Sequence, residues 1–144
     1  MKRFIIVCSL VFLTSCATNF NPSHYNIGDE YELINVSGNA LELFPKTDAL
    51  YASQYIPPEI VEIAWNDNYI LAKQTEQTDD PNNPDASITN QATENYWIID
   101  LKNNRRFGPY TKKQFEEQKQ EFRLPEQLQL QSVKTYLTKE KQQS

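Results

Sequence analysis

The stretch "IVEIAWNDNYILAK", residues 60–73, decides the fold. Val61, Ile63 and Trp65 alternate with Glu62 and Ala64, the period of two that a half-buried strand requires. Asn66-Asp67-Asn68 comes next, three residues that tolerate left-handed backbone and favour a tight turn. "YILAK", residues 69–73, then returns as a second strand. Two apolar runs across a polar turn predict a β-hairpin at the centre of the chain.

The same pattern appears on both sides of it. Upstream, Gly28-Asp29 signals a turn; Leu33, Ile34 and Val36 then lead into Ser37-Gly38-Asn39, with Leu41, Leu43 and Phe44 beyond. Downstream, "YWIIDL" (96–101) turns at Lys102-Asn103-Asn104 into "RRFGPY" (105–110). Three hairpins in succession favour an antiparallel meander. Thr111 with Gln114 then fits a capping box, in which each side chain satisfies an orphan amide of a first helical turn. Phe115 and Phe122, seven apart, share one face of a helix over about 112–123, and Pro125 ends it. The tail is two-sided: Leu128 and Leu130 alternate like a strand, whereas Val133 and Leu137 suit a short helix. The expectation is one α+β domain over residues 28–139, an antiparallel β-meander of about six strands with a C-terminal amphipathic helix packed on one face, followed by a frayed tail at 140–144.

Two connecting segments stand out. "PKTDALYASQYIPP", residues 45–58, reads as a loop whose Tyr51 and Tyr55, with Trp65 nearby in sequence, are candidates for a partner-binding surface. Residues 74–95 hold one large apolar residue, Ile88, in 22, too little to offset the entropy of ordering through burial, so a mobile loop is expected there.

The N-terminus sets the address. Lys2 and Arg3 precede Phe4–Leu13, an uncharged apolar run far shorter than the ~20 residues a spanning helix needs. A secretory signal is the better reading. The run ends in Leu13-Thr14-Ser15-Cys16: an aliphatic residue, two small residues and a cysteine. This resembles the lipobox of bacterial lipoprotein precursors. The resemblance implies diacylglyceryl transfer to the Cys16 thiol, cleavage between Ser15 and Cys16, and acylation of the new amino group. Residues 1–15 would then be a removed signal peptide and 16–27 a lipidated tether. Each buried CH₂ contributes about 0.8 kcal/mol, so two or more chains hold a domain stably at a membrane. Ala17, where an inner-membrane lipoprotein commonly carries Asp, implies an outer-membrane, periplasm-facing protein if the source has two membranes.

Removing residues 1–15 leaves 129 residues with 12 basic and 19 acidic side chains, a net charge of −7. Such a body repels nucleic acid, and no nucleic-acid partner is expected. Cys8 leaves with the signal and Cys16 is consumed by lipid, so neither disulfide nor cysteine-based metal site is expected. His24, the sole histidine, lies in the expected tether and makes a poor catalytic base. Asp79, Asp80, Asn82, Asn83 and Asp85 supply oxygen ligands, but two prolines interrupt them and the glycine of a calcium loop is missing; no metal and no cofactor is assigned. Glu59 and Glu62, with Asp67 at the hairpin tip, are the carboxylates that glycosidase-type chemistry would need, provided they face a cleft and one has a raised pKa.

"IPPEIVEIAWNDNYILAKQ" (56–74) and "YWIIDLKNNRRFGPYTKKQFEEQ" (96–118) also resemble segments of a family of small bacterial lipoproteins known only as a domain of unknown function. That resemblance implies an envelope lipoprotein and assigns no catalytic residue. The expected function is a non-catalytic binding or interaction domain, anchored by acyl chains on Cys16, that contacts another envelope protein. The rivals are a small envelope hydrolase or glycan-acting domain using acidic residues, and a small-ligand-binding domain with a pocket of several hundred Å³ between sheet and helix.

Overall fold

The computed structural model describes residues 24–37, 40–80 and 83–141. The chain is α+β. Its described elements are β1 (His24–Ile27), β2 (Tyr31–Ser37), β3 (Ala40–Pro45), α1 (Asp48–Gln54), β4 (Ile60–Trp65), β5 (Tyr69–Asp80), β6 (Asn83–Asp100), β7 (Arg105–Tyr110), α2 (Lys112–Glu121), β8 (Gln131–Ser132) and α3 (Val133–Lys141). The three expected hairpins are β2–β3, β4–β5 and β6–β7, all antiparallel.

The strands do not share a single sheet. β1-β2-β3 form one antiparallel sheet and β7-β6-β5-β4-β8 another. The reason lies in the burial pattern. Leu41 and Leu43 of β3 are buried while Ala40, Glu42 and Phe44, which alternate with them, are only partly so, giving that hairpin one apolar face. "YWIID" of β6 is buried at every position. A strand buried throughout needs cover on both faces of its sheet. The small sheet supplies one cover, packing face to face as sheets with one apolar side do. Ile27, Tyr31, Leu33, Leu41 and Leu43 meet Ile60, Ile63, Ile70, Ala72, Trp97 and Ile99, with Val133 of α3 closing that core.

The opposite face belongs to α2. Its capping box is present: Gln114 N–H reaches Thr111 Oγ1 at 3.3 Å and Thr111 N–H reaches Gln114 Oε1 at 2.9 Å. Phe115 is buried against Tyr96, Leu71, Ile98 and Ala64. Phe122 stacks edge-on with Phe107 at 4.9 Å between centroids. β7 reaches its place through a bulge: Tyr96 pairs with Tyr110 and Ile98 with Phe107, so Gly108 and Pro109 together oppose Trp97.

Three expectations change. The last four residues of the tether expected over 16–27 form β1, whose Ile27 is buried and whose His24 Nδ1 lies 2.9 Å from Glu32 Oε2, while 16–23 lie outside the described residues. Four residues are too few to announce a strand by period alone. Residues 48–54 are helical, not loop. Tyr31 donates its hydroxyl to Gln54 Oε1, and Arg106 donates to the Tyr55 carbonyl while lying over the Trp97 ring, so α1 is held by tertiary partners rather than by its own length. Finally, residues 74–80 and 83–95 continue β5 and β6 as a paired arm, from Gln74 opposite Asn95 out to Asp80 opposite Asn83. Low hydrophobicity argues against a buried segment, and does not argue against cross-strand pairing, which satisfies the backbone without a core.

Candidate functional site

The free end of β4 is where chemistry gathers. Pro57-Pro58 precedes it, and a bulge falls between Ile60 and Glu62. That extra residue, Val61, puts Ile60 on the same core-facing side as Ile63. On its outer edge β4 is paired with β8 at two positions, Glu62 with Ser132 and Ile63 with Gln131. The chain then turns into α3 at Val133. A groove of about 680 Å³ opens at this edge, in the size range of ligand sites.

The groove has unlike walls. Leu41, Ile60, Val133 and Leu137 belong to the core between the two sheets and form an apolar side. Glu62, Lys73, Thr75 and Glu94 form a polar side, on the face that α2 covers further along. Lys73 Nζ lies 2.7 Å from Glu94 Oε1 and 3.7 Å from Glu62 Oε1, and 5.8 Å from the centre of the Tyr96 ring. The Tyr96 hydroxyl donates to Glu94 Oε2 at 3.0 Å. The Lys73 and Tyr96 hydrogen bonds hold the Glu94 carboxyl below the usual carboxylate range, with a weaker pull from Lys112. Glu94 in turn raises the Lys73 ammonium. Both groups are therefore held charged.

Two further features shape the site. Thr75, 6% exposed, has a hydroxyl oxygen that is buried with no hydrogen-bond partner among the described residues. Such a group in a groove wall is an unmet demand for a donor or acceptor. Behind it Trp97 Nε1 donates to Gln74 Oε1 at 2.9 Å and Gln74 Nε2 donates to the Pro58 carbonyl at 3.1 Å, fixing the end of the edge against β5.

The residues singled out in the sequence are dispersed. Ser15 and Cys16 lie outside the described residues, as do the side chains of Tyr51 and of 77–92 with the acidic run. Tyr55 stacks on Phe44 at 5.1 Å and donates to Glu42 at 3.1 Å. Trp65 stacks on Tyr136 of α3 at 4.7 Å. Asp67 is exposed at its hairpin tip. Glu59 and Glu62 do face a common cleft. Lys73, Thr75 and Glu94 went unnoticed because the last two fall in the segment read as a loop; the register that sets Thr75 opposite Glu94 joins them. Among the described residues no group of three or more His, Cys, Asp or Glu is placed to hold a metal ion, and no helix is long and apolar enough to cross a membrane.

The fold and this groove define a two-sheet α+β domain with an amphipathic edge site. Residues 28–134 match the family described as "Protein of unknown function (DUF3997)", and the chain belongs to that family. Both segments whose resemblance was noted above, 56–74 and 96–118, lie inside the matched span. No curated protein and no solved structure matches the chain.

Proposed function

We propose that this protein is a lipid-anchored component of the bacterial cell envelope, held to the membrane by acyl chains on Cys16, whose domain binds a partner in the groove at the β4 edge. The observation that carries the binding half is the state of the groove's charges. Lys73 and Tyr96 favour Glu94 as a carboxylate, the form that attracts a cation, and disfavour the protonated form a general acid needs. The anchoring half rests on Leu13-Thr14-Ser15-Cys16 after its short apolar run. With Ala17 next, an outer-membrane position facing the periplasm is the reading for a source with two membranes.

The geometry suits a membrane-proximal task. His24 opens β1 opposite Ile34, next in sequence to Asn35 of the groove lining. His24 lies eight positions after Cys16, a reach of about 28 Å at most. The groove would stand within that order of distance from the lipid surface.

Fractionation tests the anchor. Cys16→Ala should accumulate as uncleaved or soluble protein, and mature Cys16→Ala that still sediments with membranes refutes it. A photo-crosslinking residue at Lys134, exposed on the groove rim, should capture a discrete adduct in cells, while the same residue at Asp67, exposed at the hairpin tip, should not. Equal labelling from both positions counts against the groove.

A further inference from the structure

The groove stands where the chain enters the domain, which bears on how it is regulated, a step that rests on the groove being the binding face. β1 runs antiparallel to β2, with Ile27 opposite Tyr31 and His24 opposite Ile34, so its N-terminal end points toward Asn35. Asn35 pairs with Leu41 across the small sheet, and both line the groove. The tether therefore joins the domain at the small-sheet end of the groove.

Part of the groove wall lacks a packing partner. Val61, the bulge residue, is half-buried and packs with neither of the two cores. Leu137 of α3, also half-buried, lines the same groove. Residues 17–23, "ATNFNPS", carry no charge and one large apolar side chain, Phe20. Phe20 stands four positions before His24, a reach of about 14 Å at most. A group held on so short a link meets its site at an effective concentration of about a millimolar, so a small apolar contact is enough to fill the site. The neighbours of Phe20 suit the other wall. Lys73 already contacts Glu94 at 2.7 Å and Glu62 at 3.7 Å, and the amides of Asn19 and Asn21 can donate to those carboxylates without adding charge.

We propose that Phe20 of this chain occupies the groove, seated against Val61 and Leu137, and that a partner enters by displacing it. The tether is then a built-in competitor. Phe20 is four positions after Cys16, so a docked tether leaves about 14 Å between anchor and groove, and displacement returns the full eight positions, about 28 Å. Partner binding is thereby coupled to the height of the domain above the lipid. Where Phe20 fills the groove about nine times in ten, a partner's apparent affinity is about tenfold weaker than for the open groove.

The test puts p-benzoylphenylalanine in place of Phe20 in the mature, lipidated protein in phosphatidylcholine vesicles, then irradiates, digests and maps the product by mass spectrometry. The crosslink should fall within one chain, on the peptide bearing Val61 or the one bearing Leu137. Val61→Ser should cut its yield about tenfold at unchanged far-ultraviolet circular dichroism, the scale of one lost apolar contact; if that variant unfolds, the mapping decides alone. Capture of lipid, of a second chain or of residues away from the groove overturns the proposal. A second arm reads displacement: Phe20→Ser should raise the adduct from Lys134 in cells about threefold to tenfold at equal expression, and an unchanged yield overturns the competition. If position 20 maps elsewhere while Lys134 still yields its discrete adduct, this inference falls and the groove reading survives. If position 20 maps to the groove and Lys134 captures nothing in either background, Phe20 is the occupant and the partner reading falls; if neither occurs, both fall.

Discussion

The two faces of the five-stranded sheet are buried by different means. One meets a second sheet and α3, and its contacts are largely aliphatic: Ile63, Ile70 and Ile99 against Leu33, Leu41 and Leu43. The other meets one helix and the turn after it, and its contacts mix aromatic with aliphatic side chains: Tyr96 and Phe115 beside Leu71, Ile98 and Leu128, flanked by Tyr69, Phe107 and Phe122. The first cover is assembled from both ends of the domain, residues 27–43 and 133–137; the second comes from 115–130, the chain that directly follows β7. Cover from near in sequence is cheap to order and rests on few residues, whereas cover from far away is distributed over many. At β4 the two covers stop at different places, and the groove is the gap between them.

Truncating the aromatic anchor tests this asymmetry hardest. Phe115→Ala should cost about 3–5 kcal/mol, the range for emptying a buried aromatic site. A ten-residue helix does not persist without its docking face, so hydrogen exchange should lose protection across Lys112–Glu121 while β1–β3 keep theirs. Leu43→Ala, on the other face, should cost about 3 kcal/mol and weaken protection in β1–β3 instead. If both variants loosened the same amides, the faces would not be separable units.

Next in size is Gly108→Ala. Gly108 has φ +121°, and a Cβ there would lie 2.6 Å from the Tyr96 carbonyl oxygen and 3.0 Å from the Trp97 ring. The first contact is with the backbone of β6 and the second with a ring buried against the small sheet, so the clash strikes the central strand itself and the core between the sheets. Backbone strain and overpacking together predict a loss of about 3 kcal/mol in denaturant unfolding. A change under about 0.5 kcal/mol would mean that the bulge relaxes freely and that β7 does not set the spacing between the faces.

What could be read from sequence follows the same division. The three hairpins and the capped helix were legible because Val61–Trp65, "YWIIDL" and Thr111–Phe122 carry their signals within a few residues. The split into two sheets was not, because no local pattern says that Leu41 and Leu43 face Ile63 and Ile99 rather than pairing beside them. β1 and α1 were missed for a related reason: Ile27 and Gln54 are held by distant partners, in four- and seven-residue elements too short for a period. Glu59 and Glu62 were visible in the groove, but Lys73, Thr75 and Glu94 gain meaning only from cross-strand register. Polar composition at 74–95 concealed that register.

A smaller effect tests the polar wall where α2 no longer covers the sheet. Lys73→Met should cost about 1 kcal/mol at pH 7, since the pair with Glu94 is only partly shielded from water. The sign with pH follows from both partners. Glu94, held low, contributes above the ordinary carboxylate range and loses its contribution as pH falls through its folded pKa. Lys73, held high, contributes below the ordinary lysine range and loses its contribution as pH rises through its folded pKa. The gap in melting temperature between wild type and Lys73→Met should therefore be widest from about pH 5 to about pH 10 and narrow as pH falls below the ordinary carboxylate range. A gap that persists unchanged at pH 3 would mark a packing effect and not a charge effect.

The smallest effect sets a carboxyl of the small sheet against Glu94. Glu42 of β3 is raised above the ordinary carboxylate range by burial, which the Tyr55 hydroxyl at 3.1 Å only partly opposes. Where Glu94 has an ammonium beside it, Glu42 has a phenol whose hydrogen bond does not offset burial, so ionisation is disfavoured in the folded state. The native state then holds this proton more tightly than the unfolded chain, and stability falls as pH rises from the unfolded value through the folded one. Glu42→Gln keeps an oxygen for Tyr55 and removes the charge. It should stabilise the protein at pH 7 by about 0.5 kcal/mol or less and change nothing near pH 3, where wild-type Glu42 is already neutral. An equal gain at both pH values would assign the effect to shape. A loss at pH 7 would show that the charged acceptor strengthens the Tyr55 bond by more than burial costs, and that the small sheet, like the groove, holds its carboxylate through a partner.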